Sequence, residues 1–305
     1  MTANAPRLLD LGLDWSLLSE QRIGHGRVAW LRVGPTNVGV DSDPAVLLLE
    51  ETGQVPTVQV TNRSRISALL PVNHLLVGGW QTRVVERSVV IAPAATVTVP
   101  VRCVERRRWE PRATGDAERT FVRAGRMSIP ASARLAEGKR VKMRSTGVYT
   151  TSQERVWSDV AEERTPSVTS SYEAISHVRR RRETSAEETL VPPSDANAIL
   201  VLPDAGGAWL EMFATAGSMA RESAACAADL FADPIPVRVA RRLATVSEAI
   251  SWIWRRQVVP VDAVQGTIGD VHVLVSERSS GEVILLDGGL AHAVVSASLA
   301  VGVAA

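Results

Sequence analysis

The chain is predicted to be α+β, with a β-rich N-terminal half of sandwich-like sheets completed by C-terminal helices and a terminal β-hairpin. Three observations predict it. Apolar residues recur with period 2 in short runs between Arg27 and Cys103, the signature of half-buried strands. Capping-box patterns at Thr151–Glu154 and Ser170–Glu173 and an apolar stripe at spacings of four and three begin only after residue 150, which places helices there. Beyond Asp270 the chain returns to β-branched runs separated by glycine turns, as hairpins require.

In chain order, Arg27 to Val33 alternates after a Gly-His-Gly turn and is read as the first strand. Asp43 to Glu51 is either a short helix capped by Asp41, Ser42 or Asp43, or, from its three leucines, a buried strand. Val55 to Thr61, Ile66 to Val72 and His74 to Val77 are read as strands between Asn, Ser and Pro turns. Two further β-rich runs follow, Arg83 to Ile91 and Thr96 to Cys103, joined by Ala92-Pro93-Ala94-Ala95. Glu110 to Glu118 is polar and is read as a loop. Helices are expected from about Ser152 to Glu163, from Ser171 into Arg179–Arg182, over Met219–Leu230, and from Pro236 to Arg256 with Val239, Leu243, Val246, Ile250 and Ile253 on one face. Strands are expected at Ala196–Leu202 and Ala208–Phe213, then Asp270–Ser276, Val283–Leu286 and Ala291–Ala297. One integrated domain is favoured over two, with Pro192-Pro193-Ser194-Asp195 as the subdomain boundary if there is one.

Charge and composition exclude several classes. With 34 basic and 33 acidic residues, no global field draws the chain to nucleic acid or to a membrane surface. The most apolar stretch, Val283 to Ala305, is interrupted by Asp287, His292 and glycines, so it reads as core strands. The N-terminus lacks a basic region followed by an unbroken apolar one, and cytoplasmic residence is the expectation. Only two cysteines, Cys103 and Cys226, are present, without metal-ligand spacing, and no metal is expected. Neither GxGxxG nor GxxxxGK[ST] occurs, so no cofactor is assigned to a standard glycine loop.

Polar chemistry concentrates between Gly78-Gly79-Trp80-Gln81-Thr82-Arg83 and Cys103-Val104-Glu105-Arg106-Arg107-Arg108-Trp109. The glycine pair suits positive φ or a close approach of another strand. Cys103 is in phase with Val97, Val99 and Val101, which favours a buried strand cysteine over a thiolate nucleophile. Glu105 continues that face and is either a general base or ligand carboxylate, or one half of an ion pair with Arg83 or with one of Arg106 to Arg108. Gln81 and Arg83, two residues apart, offer an amide and a guanidinium fork to a phosphate, a carboxylate or an adenine edge, or else face solvent. The run Arg179 to Arg182 is read as a solvated helix end followed by Glu183, Glu187 and Glu188. His292, after Asp287-Gly288-Gly289, is either a functional acid or a core histidine.

Taken together, these stretches resemble a family of prokaryotic proteins named for its association with ADP-ribosylglycohydrolases and rhodanese/phosphatase-superfamily proteins. That family's central Gly-Gly/Ala-x-Gln-Asn-Arg turn is similar to Gly78 through Arg83, and its Cys-Val-Glu-x-Gly-Arg-Trp ending to Cys103 through Trp109. Its Gln-x-x-Val-Trp helix is similar to Gln153 through Trp157, its Asp-Leu-Phe to Asp229-Leu230-Phe231, and its Gly-x-x-x-His to Gly288 through His292. Three positions depart: an acidic residue is His74 here, the asparagine is Thr82 and the glycine before Arg108 is Arg107. The resemblance implies partners that handle ADP-ribose or NAD-derived nucleotides. The leading expectation is an accessory protein binding an anionic, nucleotide-derived ligand at Gln81, Arg83, Glu105, Arg108 and Trp109. One alternative is a hydrolase or transferase with Glu105 as base and His292 as acid partner. Another is an interaction protein in which the cluster is a buried ion-pair network.

Overall fold

The computed structural model describes residues 5–37, 39–105, 119–162, 172–204, 206–231 and 245–297. The chain divides into two compact units, the first of Met1–Asn37, Val178–Val261 and His272–Ala305, the second of Val38–His177 and Asp262–Val271. The class is α+β, and the strands form an eight-stranded sheet, a closed six-stranded barrel and a three-stranded sheet.

The first unit opens with the hairpin β1 (Asp14–Ile23) and β2 (Gly26–Gly34). Only the second of these is legible as a strand in the sequence. The reason is a register shift between Leu17 and Ser19, which breaks the alternation that marks a strand. At the hairpin turn Gly24 has φ +46°, and a Cβ there would lie 2.1 Å from the Leu230 carbonyl oxygen.

The second unit holds β3 (Val40–Asp41), β4 (Leu47–Glu51), β5 (Thr57–Asn62), β6 (Ser67–Leu70), β7 (His74–Gly78), β8 (Arg83–Val85), β9 (Val89–Ile91), β10 (Thr96–Cys103) and β11 (Thr120–Arg126). Two helices follow, α1 (Ile129–Thr146) and α2 (Gln153–Glu162). The ambiguous stretch from Asp43 is a 3-10 turn capped by the Asp43 side chain and then the strand β4. The run Arg83 to Ile91 is not one strand but two, β8 in the barrel and β9 in the three-stranded sheet. The break falls at Glu86, which turns inward. Its carboxylate pairs with Arg102 at 2.7 Å and accepts from Thr151 N at 2.7 Å and from the Thr150 hydroxyl, while its carbonyl accepts from Lys139 Nζ. An ion pair so buried needs this many partners to offset its desolvation.

The barrel closes in the order β10-β5-β4-β11-β7-β8. Leu49, Val58, Val60, Leu76, Val99 and Phe121 belong to its apolar core. Leu75, Val84 and Val104 pack instead with Ala131 and Leu135 of α1 and Val156 of α2. Helix α1 carries a weak apolar stripe and is not among the expected helices, although its ends are written plainly: Ser128 caps it, with Pro130 in the first turn, and Gly147 ends it in the left-handed region.

The chain continues with α3 (Tyr172–Thr189), which belongs to the first unit from Val178 on, then β12 (Ala198–Pro203), β13 (Ala208–Phe213), α4 (Ala216–Ala227), α5 (Val246–Trp254), β14 (Val258–Pro260), β15 (Asp270–Val275), in the first unit from His272 on, β16 (Ser279–Leu286) and β17 (Gly289–Ala297). Because α3 continues to Thr189, the arginines 179–182 lie inside the helix rather than at its end. The eight strands run β1-β2-β12-β13-β17-β16-β15-β14, and the terminal hairpin turns on Asp287 and Gly288, both at positive φ. One sheet face packs Leu31, Leu200, Leu210 and Val295 against Ile250 and Ile253 of α5. Of the long stripe, Val246, Ile250 and Ile253 are buried as expected, and Val239 and Leu243 lie outside the described residues. No described helix is long and apolar enough to cross a membrane.

Candidate functional site

Because the barrel is antiparallel, six strand ends meet at one rim: Glu51, Thr57, Gly78, Arg83, Cys103 and Thr120. Gly78–Arg83 and Cys103–Glu105, the described part of the segment singled out by its polar chemistry, therefore lie at one end of the barrel. Gly78 and Gly79 adopt φ of +124° and +49°, and a Cβ on Gly78 would lie 2.4 Å from the Thr120 carbonyl oxygen. Both of the reasons expected for a glycine pair hold here.

Arg83 is fully buried, and the carboxylate on it is Glu51, with Nη2 to Oε1 at 3.1 Å and neither side chain exposed. Its Nη1 donates to the Val55 carbonyl, and Glu51 Oε2 also accepts from Trp80 N at 3.3 Å. From the sequence, Glu105 is one candidate partner of this arginine, and Glu51 is not among the candidates. A signal exists. Leu47, Leu49 and Glu51 share the inward phase of β4, so reading residues 43–51 as a strand places a carboxylate on the barrel's inner face.

Glu105 is half-buried, and its Oε2 accepts from Thr82 N at 2.8 Å. It takes the donor left when the β8–β10 ladder ends, since Val104 N still donates to Thr82 O at 3.0 Å. Gln81 is buried, and its Nε2 donates to the Glu105 carbonyl at 3.4 Å. Where β5 turns away from β10, Gln153 replaces it. Its Oε1 accepts from Cys103 N at 2.9 Å and its Nε2 donates to Cys103 O at 2.5 Å. One side chain from the first turn of α2 thus satisfies both backbone groups that the barrel leaves open.

Cys103 is buried, and its thiol donates to the Glu105 carbonyl at 3.0 Å. Burial pushes its pKa above the ordinary thiol value, outweighing that hydrogen bond and the Arg83 charge, which act the other way. A thiol so held stays protonated at neutral pH, the opposite of an activated nucleophile.

Thr82 is also buried, and its Oγ1 has no hydrogen-bond partner among the described residues. Thr82→Val removes an unsatisfied hydroxyl while keeping the side chain's shape, so thermal denaturation should show a melting temperature equal to or above the wild type. A clear drop would mean that the hydroxyl is bonded in solution.

The structure brings Gln81, Arg83, Cys103, Glu105 and Gln153 together in the second unit. Arg108, Trp109 and Arg107 lie outside the described residues; they belong to the segment 106–118 that connects the β10 end of this rim to Arg119 and β11. His74, at the start of β7, is buried and registers with Arg126 of β11. His292 belongs to the first unit, where its Nε2 lies 3.3 Å from Glu211 Oε1 and its ring packs on Phe213 at 5.3 Å. Glu211 Oε2 also accepts from Trp209 Nε1 at 3.0 Å and from the Cys226 thiol at 3.4 Å. His292 is thus fully buried and bonded to a carboxylate in the core of the first unit. Among the described residues no group of three or more His, Cys, Asp or Glu side chains is arranged to hold a metal ion.

A family model described as the ARG and Rhodanese-Phosphatase-superfamily-associated Protein domain matches residues 40–295. No curated protein and no solved structure matches the chain.

Proposed function

The chain belongs to the ARG and Rhodanese-Phosphatase-superfamily-associated Protein domain family, and from that membership we propose that it is a cytoplasmic accessory protein of an ADP-ribose- or NAD-linked system, binding an anionic, nucleotide-derived ligand at the barrel rim. The observation that carries this reading is the rigid setting of the rim. Arg83 and Glu51 lock its floor, Gln153 clamps Cys103, and Glu105 caps Thr82, so the chain leaves Glu105 from a fixed point into the segment bearing Arg108 and Trp109. A preorganised platform lowers the ordering cost of binding.

In this reading Arg108 pairs with a phosphate, Trp109 stacks on a base or ribose, and Gln81 and Glu105 meet sugar hydroxyls. Arg83 serves as framework, because its guanidinium is already committed to Glu51 and Val55. Protein partners would be those that produce or consume the same nucleotide.

The test is a thermal-shift series with ADP-ribose, NAD, mononucleotides and inorganic phosphate, on the wild type, Arg108→Ala and Trp109→Ala. A ligand at a hundredfold its Kd adds about 2.7 kcal/mol. The wild type should shift with a nucleotide, and both variants should lose the shift while keeping the unliganded melting temperature. Glu105→Gln should spare affinity, whereas in an enzyme using Glu105 as base it would abolish turnover. Absence of any nucleotide shift in the wild type sinks the proposal.

A further inference from the structure

A second recognition feature lies in the first unit, at the end of α5. Arg255 and Arg256 follow Trp254, and the Arg256 guanidinium carbon stands 4.2 Å from the centroid of the Trp252 ring. Its Nε donates to the Trp252 carbonyl at 3.0 Å, one of the acceptors that a helix leaves open in its last turn. Nε is therefore spent on the helix end, and the guanidinium is held against the indole. Among the described residues no carboxylate pairs with Arg255 or Arg256, and the terminal nitrogens of Arg256 carry no hydrogen bond. Burial and then the neighbouring Arg255 charge both depress the Arg256 pKa, so the charge acting on this arginine repels it.

Apolar surface adjoins the pair. Leu8 N donates to Arg256 O at 2.8 Å and Arg7 bridges to Gln257, which sets the turn Leu8–Leu11 beside the arginines. Leu9 on that turn is 37% exposed, and Leu11 and Trp15 are only partly buried against the core. The one carboxylate on the turn, Asp10, is bound to Arg7 at 3.1 Å.

We propose that Arg255 and Arg256, with Trp252 stacked on Arg256 and the turn Leu8–Leu11 beside them, form the docking point for a carboxylate-bearing segment of a protein partner, an acidic side chain flanked by aliphatic residues. The chemistry is complementary on each count. A planar fork with its terminal nitrogens open matches a carboxylate bidentately. Two adjacent guanidinium groups without a counter-charge among the described residues favour an anion. The indole face already carries a guanidinium, so a stacked nucleobase is not the fit, while Trp and Arg beside an aliphatic side chain is the composition of interface anchors.

The test follows the Arg256 Nε–H and Trp252 indole resonances by NMR in the full chain, which the carbonyl bond and the stack make reporters of this fork. The probes are acetyl-Leu-Glu-Leu-amide, its Gln counterpart and inorganic phosphate. The Glu peptide should shift both resonances saturably, with affinity at least about tenfold above the Gln peptide, as expected for loss of a charge-assisted pair. Arg256→Lys, which keeps the charge and loses the fork, should bind the Glu peptide about tenfold more weakly. Equal response to phosphate and to the Glu peptide would reduce the feature to a simple anion site and overturn the proposal. So would unchanged resonances with every probe.

Discussion

Arg83→Ala should lower the melting temperature of the second unit by about 6–20 °C, the largest loss expected from any polar residue of the rim. The reasoning starts from desolvation. Arg83 and Glu51 are paired at 3.1 Å with neither side chain exposed, and removing one member of a buried pair leaves the other charge uncompensated, at a cost of about 3–5 kcal/mol. For a unit of this size each kcal/mol moves the transition by about 2–4 °C. Glu51→Gln should cost less, because an amide oxygen still accepts from Arg83 and from Trp80 N. The double variant Arg83→Met, Glu51→Leu decides whether the pair is present for stability. Recovery to within about 1 kcal/mol of the wild type would show that the barrel tolerates an apolar pair here. If Arg83→Ala itself melts like the wild type, the ion pair is not formed in solution and Arg83 returns to the ligand-binding candidates.

That experiment turns on a residue that sequence reasoning misses, and the reason is physical. Local pattern reports which face a residue points to and not which strand lies opposite. Cys103 is legible as a buried strand residue because its phase with Val97, Val99 and Val101 is a local property. Glu51 shares an inward phase with Leu47 and Leu49 just as plainly, but its pairing with Arg83, 32 residues away, exists only once β4 and β8 join one barrel. The split of Arg83–Ile91 into two sheets has the same origin. Val84, Val85, Val89, Val90 and Ile91 are all β-formers, and the break at Glu86 is set by Arg102, Thr150 and Thr151, which are distant in sequence. Strands Ala208–Phe213 and Asp270–Val275 are legible nearly to the residue, since Gly and Ser turns bound them. Conversely β1 is hidden by its bulge and α1 by its weak stripe. The family motifs locate the rim, and geometry then sorts its residues. Gln153 emerges as a backbone clamp and Arg83 as framework, roles that a motif string does not contain.

Gly79→Ala should be nearly as damaging as Arg83→Ala, and for reasons that a matched control separates. Gly79 has φ +49°, where a Cβ costs about 1–2 kcal/mol from backbone strain alone. Its added carbon would also lie 2.5 and 2.7 Å from Cζ and Cε1 of Phe121 and 3.0 Å from Glu51 Oε2. Phe121 is buried in the barrel core, so its ring cannot swing clear, and overpacking adds about 1–3 kcal/mol. Gly53, in the turn after β4 at the same rim, has φ +75°, and a Cβ there would meet nothing within 4 Å. Gly53→Ala therefore isolates the backbone cost, and Gly79→Ala should exceed it by the packing term. The excess has a second signature. Because the new methyl presses on the Glu51 carboxylate, Gly79→Ala and Arg83→Ala disturb one pair, and their effects should sum to less than additively, with a coupling of about 0.5–3 kcal/mol. Equal losses at Gly79 and Gly53, with strict additivity to Arg83→Ala, would mean that Phe121 and Glu51 yield freely and that the floor of the rim is softer than its hydrogen bonds require.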